Sequence, residues 1–411
     1  MSGSSIHTVT SSPQLAVDND ESLNKMLSVI RKHLEMDVAF YSEFVSGQRI
    51  FRAVSKSEQK MSAIEVGDSD PIEETYCGKM SNGEFDNIIH DAKKHEGASK
   101  LDVTEELGIG AYMGVPITLS DGAIFGTLCC YKSDKDNSLN KRDLGFLNAF
   151  AEIYRDLFEE RMQHTCIIDQ MAESTLAALE LDLLTVHYQP IYSLENNLIC
   201  GYESLARFNS QPYRPPNIWF DEAELVGMGE ALQIKAIRQA LRDIKKMSSH
   251  AQLSVNIAPE YILNGAIHRV LDDVDPSRLI LEVTEHSPIE DYEVFREQLA
   301  PLRERGVQLA IDDAGAGYAS FQHILELEAD LIKLDLSLIR DIHLQPKKYA
   351  LAKALCTFAT ATTCVIVAEG VEVIEELRVL EKLGVDRIQG YLTGKPMPIE
   401  EAVLHQYSLP L

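Results

Sequence analysis

The chain has 411 residues, 45% of them hydrophobic, enough for two packed domains. A net charge of -26 argues against a broad surface for polymeric nucleic acid or anionic membrane, which needs clustered Lys and Arg. No apolar run approaches a membrane span, and Met1-Ser2-Gly3-Ser4-Ser5 carries no signal pattern, so a cytoplasmic location is expected.

Residues 1–17 are rich in Ser and Thr and read as a disordered tail. Leu23, Met26, Leu27, Ile30 and Leu34 lie at helical spacing and predict an amphipathic helix. Val38 to Phe44 and Arg49 to Val54 read as strands joined at Ser46-Gly47. After a polar, loop-rich stretch, Ala111 to Leu119 and Ala123 to Tyr131 flank Asp121-Gly122, a strong hairpin signal. Helix, antiparallel strands and a closing helix predict a compact α+β module.

That module resembles a GAF domain, a small-molecule sensor fold, over residues 18–160. The resemblance rests on Thr75-Tyr76-Cys77, Gly110 through Ile117, and Asp121-Gly122 through Cys129. It implies a small-molecule ligand or signal whose identity the sequence does not give. Seven scattered cysteines without zinc-type pairing fit reduced thiols. Cys77 is a candidate chromophore or redox position, but Gly78 follows it where the common bilin-attachment pattern has His. No cluster of Lys or Arg lies near it in sequence, so a packed structural cysteine is expected.

Leu144, Leu147, Ala151, Tyr154, Phe158 and Met162 continue a helical row through Lys141 to about Leu181 without Gly or Pro. This predicts a helix that closes the first domain and supplies a connector at 161–180, either a passive spacer or a dimeric coiled coil.

From Thr185 the texture becomes strand-then-helix. Eight strands are predicted, beginning with Val186–Ile191, Gly201–Leu205, Leu253–Ile257 and Leu279–Glu285. Leu309–Asp312, Leu331–Asp335, Val365–Glu369 and Arg387–Tyr391 follow. Helical patterns such as Tyr292 to Arg305 and Lys348 to Thr360 separate most of them, which predicts a (β/α)8-type barrel over 181–411. Leu194 to Leu198 is too short for a parallel crossover, so the first two strands must form a hairpin with the first running antiparallel.

The centre of this domain is Ile311-Asp312-Asp313-Ala314-Gly315-Ala316-Gly317. Adjacent strand residues face opposite ways, so two aspartates can serve one site only if the strand turns at Asp313. Gly315 and Gly317 supply backbone freedom for such a turn. Alone, the motif is equally compatible with an acidic surface turn. However, Glu203, Asn256, Glu282, Asp312, Lys333, Glu369 and Gln389 each sit in or at the end of a different apolar strand, where unpaired charge is costly. Five carboxylates brought together (Glu203, Glu282, Asp312, Asp313, Glu369) require balance, which Lys333 and two divalent cations would supply. Oxygen ligands without His or Cys favour Mg²⁺ or Mn²⁺.

From about Thr185 to Met397 the sequence resembles the EAL family of cyclic-di-GMP phosphodiesterases. The motifs include Tyr188-Gln189-Pro190-Ile191, Glu203-Ser204-Leu205-Ala206-Arg207-Phe208, Ser254-Val255-Asn256 and Glu282-Val283-Thr284-Glu285. Ile332-Lys333-Leu334-Asp335, Ala368-Glu369-Gly370-Val371-Glu372 and Ile388-Gln389-Gly390-Tyr391 complete them. The resemblance implies a barrel with one antiparallel strand, hydrolysis of cyclic di-GMP to linear pGpG, and a homodimer. It further implies Glu203, Asn256, Glu282 and Asp312 on one cation and Asp312, Asp313 and Glu369 on a second. Lys333 would orient or help deprotonate the attacking water; Gln189, Arg207 and Gln389 would contact substrate; Glu285 and Glu372 would support the ligands.

Ser204 stands where the signature has Ala, Ala314 where the loop usually has Phe, and Ala319 where it has Ser. The loop changes bear on regulation more than on chemistry. No Gly-Gly-Asp/Glu-Glu-Phe signature is present, so synthesis of the same ligand is not expected. Two alternatives stay open: an inactive module that captures cyclic di-GMP or a protein, and a different Mg²⁺-dependent barrel enzyme with a Lys base.

Overall fold

The computed structural model describes residues 21–58, 64–271, 275–284, 288–314 and 320–407. The predicted tail, Glu285, Gly315, Gly317 and Ala319 lie outside them. The chain divides into two compact units, Met1–Cys166 and Ile167–Leu411. No helix of the described residues is long and apolar enough to cross a membrane.

The first unit is built on a six-stranded antiparallel sheet. Its strands are β1 (Val38–Val45), β2 (Gln48–Lys56), β3 (Ser69–Pro71), β4 (Ile88–Ile89), β5 (Ala111–Thr118) and β6 (Ile124–Lys132), in the order β3-β2-β1-β6-β5-β4. Period-two alternation sends residues to two apolar layers. Ala39, Tyr41, Met113, Val115, Leu128 and Cys130 pack with α1 (Glu21–His33) and with Leu147, Ala151 and Tyr154 of the helix Lys141–Glu180. Phe40, Phe51, Tyr112, Cys129 and Tyr131 form the other layer with Tyr76 and Cys77 of α2 (Tyr76–Ser81). A short helix, α3, covers Asp102–Glu106, and the long helix is α4.

The second unit is a closed barrel. Its strands are β7 (Leu184–Ser193), β8 (Leu198–Phe208), β9 (Gln252–Asn256), β10 (Leu279–Thr284), β11 (Gln308–Ala314), β12 (Leu331–Leu334), β13 (Val365–Ala368) and β14 (Arg387–Gln389). They close in the order β10-β11-β12-β13-β14-β7-β8-β9. β7 is antiparallel to both neighbours, β8 and β14, and the remaining pairs are parallel, so the short Leu194–Leu198 connection has its predicted consequence.

Inside the barrel, side chains stack in layers. Ile191, Ile280, Ala310, Leu331 and Val367 form one buried cluster. One pleat further along the same strand faces come Gln189, Glu282, Asp312, Lys333 and Glu369, so an apolar floor supports a polar layer at the strands' C-terminal ends. One pleat below the floor, Gln252 donates to Gln308 (2.5 Å) and Arg387 donates to Gln252 (2.8 Å). This lower layer was not anticipated, although the polar residues opening β9, β11 and β14 were its signal.

Around the barrel, α5 (Pro216–Leu225) and α6 (Gly229–Asp243) follow β8. Lys235 of α6 donates to the carbonyls of Ala178, Leu179 and Leu181 at 2.9, 2.8 and 3.1 Å, satisfying the open C-terminal end of α4. Replacing Lys235 with Ala should lower stability by about 1–2 kcal/mol, read as a reduced urea midpoint with an unchanged slope.

Candidate active site

Lys333 is the hub of the polar layer and is 1% exposed. Its ammonium lies 2.7 Å from Glu369, 2.8 Å from Glu282, 3.1 Å from Asp312 and 3.5 Å from Glu203. Burial opposes the lysine's charge, but these four carboxylates outweigh it and hold Lys333 well above the ordinary lysine range. Glu282 is pushed well above the usual carboxylate range by burial, with Glu203 and Asp312 repelling its charge against the pull of Lys333. Burial, then Asp312 and Glu203, raise Glu369 to about 8 in the same way.

Asp313 explains how two successive aspartates reach one site. Its φ is +58°, in the left-handed region, and the pairing of β11 with β12 breaks register between Ile311 and Ala314. The strand thus runs on to Ala314 but turns at Asp313, as two aspartates sharing a site require. Donor atoms of Glu203, Glu282 and Asp312 lie within 4.8 Å of one another, as do those of Asp312, Asp313 and Glu369. These two groups share Asp312.

Neighbouring amides hold Glu203. Asn256 donates to one carboxylate oxygen at 3.2 Å, and Gln389 donates to the other at 2.5 Å. Gln389 also donates to Gln189 at 3.1 Å, which donates to the Gly394 carbonyl at 3.1 Å. The Gln389 Oε1 is buried without a partner. Ser204 donates to the Ser254 carbonyl at 2.9 Å, so the hydroxyl in place of a signature alanine is satisfied. Arg207 is half-buried and donates to its neighbour's carbonyl, Ala206, at 2.8 Å. Glu372 is exposed and paired with Arg340 at 3.0 Å, away from the carboxylate cluster's hydrogen bonds.

The residues fit divalent cations. The donors are oxygen atoms, and burial drives Glu282 and Glu369 toward their neutral forms where nothing but Lys333 offsets them. Without cations, the folded state keeps a proton on Glu369 that the unfolded chain, with its ordinary carboxyl near 4.5, has released. This contribution to stability is therefore present at low pH and lost as pH rises from about 4.5 to about 8. Thermal melts of chelated protein should show this loss, and added Mg²⁺ should raise Tm more at pH 8 than at pH 5.

The family model for the EAL domain matches residues 172–396, over half of the chain. The chain belongs to the EAL domain family. A GAF domain matches residues 18–154, so the order is GAF then EAL, on an α/β barrel fold with an α+β sensor domain before it. The chain is 32% identical over 242 residues to cyclic di-GMP phosphodiesterase NbdA of Pseudomonas aeruginosa, covering 56% of this chain and 31% of that protein. It is 32% identical over 233 residues to cyclic di-GMP phosphodiesterase PdeR of Escherichia coli, covering 54% and 35%. A solved structure of the PaMucR phosphodiesterase in complex with c-di-GMP is 30% identical, with a TM-score of 0.51, covering 57% of this chain and 99% of that one. The curated relatives are longer, and the match spans only 37%, 38% and 29% of three of them.

In the GAF domain, one expectation needs correcting. Cys77 is buried, as a packed cysteine should be, but it does have a cation beside it. Arg49 of β2 places Nη1 3.7 Å from its sulfur. Twenty-eight residues separate the two, so no local basic cluster announced the contact.

Proposed function

We propose that the EAL domain hydrolyses cyclic di-GMP to linear pGpG, using two divalent cations, Mg²⁺ or Mn²⁺. The observation that carries this reading is the pair of oxygen clusters sharing Asp312, gathered around Lys333 at the C-terminal end of the barrel. Glu203, Asn256, Glu282 and Asp312 hold the first cation, and Asp312, Asp313 and Glu369 the second. When bound, the cations polarise the attacking water and the phosphoryl oxygens. Lys333, kept cationic by the carboxylates around it, orients that water and favours its hydroxide form by charge. Gln389 and Asn256 fix Glu203, and with Gln189 and Arg207 Gln389 meets the substrate.

Incubation of the purified chain with cyclic di-GMP and Mg²⁺, followed by chromatography of the products, tests this directly. Linear pGpG is expected. Binding of cyclic di-GMP without any product would instead mean a capture module.

The GAF domain is proposed to regulate this activity within a homodimer, in response to a small molecule that binds the two activity states unequally. Removal of residues 1–166 should keep the product but change the turnover rate and weaken dimerisation, measured by steady-state kinetics and sedimentation. Equal rates and equal oligomeric state for both forms would discard the regulatory role.

A further inference from the structure

Within the GAF domain's second apolar layer lies a polar knot that packing alone does not require. Cys77 of α2 and Cys129 of β6 are both fully buried, and their sulfurs are 3.6 Å apart. Arg49, 3% exposed, reaches Cys77 with one nitrogen and Asp70 with another, while its Nε has no partner. Ser42 donates toward Cys77 at 3.9 Å and shares a 2.9 Å hydrogen bond with Thr127. Tyr112 donates to Cys129 at 3.0 Å. A buried guanidinium costs desolvation, and here part of what offsets it is a sulfur.

The two thiols are not alike. Burial alone would raise Cys77, but hydrogen bonding from Cys129 and the charge of Arg49 leave it well below its ordinary value. Cys129 is pushed well above its own by burial and by Cys77. A metal ion between the sulfurs is disfavoured, because the guanidinium already occupies the thiolate's side with positive charge.

We infer that Cys77 and Cys129 form a peroxide-sensitive dithiol that closes to a disulfide inside the GAF domain. The Cys77 thiolate attacks one oxygen of hydrogen peroxide, the O–O bond breaks, and the departing hydroxide takes up a proton to leave as water. This yields a sulfenic acid on Cys77. The Cys129 sulfur then attacks the Cys77 sulfur, the S–O bond breaks, and the Cys129 proton leaves with the hydroxide as a second water. Two thiols lose two electrons and one peroxide gains them. The sulfurs, 3.6 Å apart, must approach by about 1.5 Å to reach disulfide length. Because both sulfurs are buried, the oxidant must be as small as peroxide, and bulky disulfides are left to thiols with solvent exposure, the exposed Cys166 first among them.

The test uses the full reduced chain, treated with hydrogen peroxide, alkylated, unfolded and digested for mass spectrometry. A Cys77–Cys129 linked peptide, two hydrogens lighter than the reduced pair and lost on reduction, is expected. In Cys129→Ser, which cannot close the link, dimedone present as the peroxide-treated chain is unfolded should label Cys77. The inference is overturned if both thiols stay alkylatable after unfolding while Cys166 is oxidised. It is equally overturned if folded Cys129→Ser, treated with peroxide and then unfolded in dimedone, shows no label on Cys77. Should that variant fail to fold, the wild-type linked peptide decides alone.

Discussion

Chelation of divalent cations should abolish hydrolysis of cyclic di-GMP, and Mg²⁺ or Mn²⁺ should restore it. The physical reason is charge. Glu203, Glu282, Asp312, Asp313 and Glu369 bring five potential negative charges, and Lys333 returns one. In the absence of cations, burial raises Glu282 and Glu369 so that part of the ligand set is held protonated. The cations compete with those protons, so restoration should need less metal at pH 8 than at pH 6. Ca²⁺, larger and looser in its coordination, should support substrate binding with poor turnover. Glu203→Ala belongs to the same expectation: losing a ligand held by both Asn256 and Gln389 should lower activity on the order of a thousandfold. The readout is initial rate against total cation in buffered chelator. Full activity in excess chelator would remove the cations from the proposal.

Lys333→Ala should lower kcat on the order of 100- to 10,000-fold, with little change in KM. A group acting on the nucleophile contributes in the transition state and little to ground-state binding. The geometry adds a complication, because the same ammonium lies within 3.5 Å of four carboxylates proposed as cation ligands. Its loss therefore leaves more uncompensated negative charge, which should strengthen cation binding while the chemical step slows. Steady-state kinetics beside a cation titration separate the two effects. A variant whose KM alone rises, with kcat intact, would assign Lys333 to substrate binding.

Much of this protein was legible in its residues, for definite reasons. The strands were visible because their apolar runs are short, β-branched and bounded by turn residues. β7 and β8 were recognisable as a hairpin because five residues cannot carry a parallel crossover. The polar members of the site stood out because a charge in a strand covered on both faces is anomalous unless it is used. That logic singled out Glu282, Asp312 and Lys333, and the barrel brings both carboxylates within 3.1 Å of the lysine's ammonium.

Other features depend on contacts between residues far apart in the chain, which no local pattern encodes. Arg49 and Cys77 meet because β2 and α2 cover the same apolar layer, and neither position announces the other. The amides of Asn256, Gln189 and Gln389 converge on one end of the barrel, but only closure of β14 onto β7 brings Gln389 to Glu203 across 186 residues. Glu372 carries the family's motif, yet its side chain turns outward to Arg340. Strand alternation settled which side chains share a face, since that is a property of one pleated strand. Which faces meet, and therefore which charges stabilise or repel one another, was decided by the closure of the barrel and the packing of the sheet.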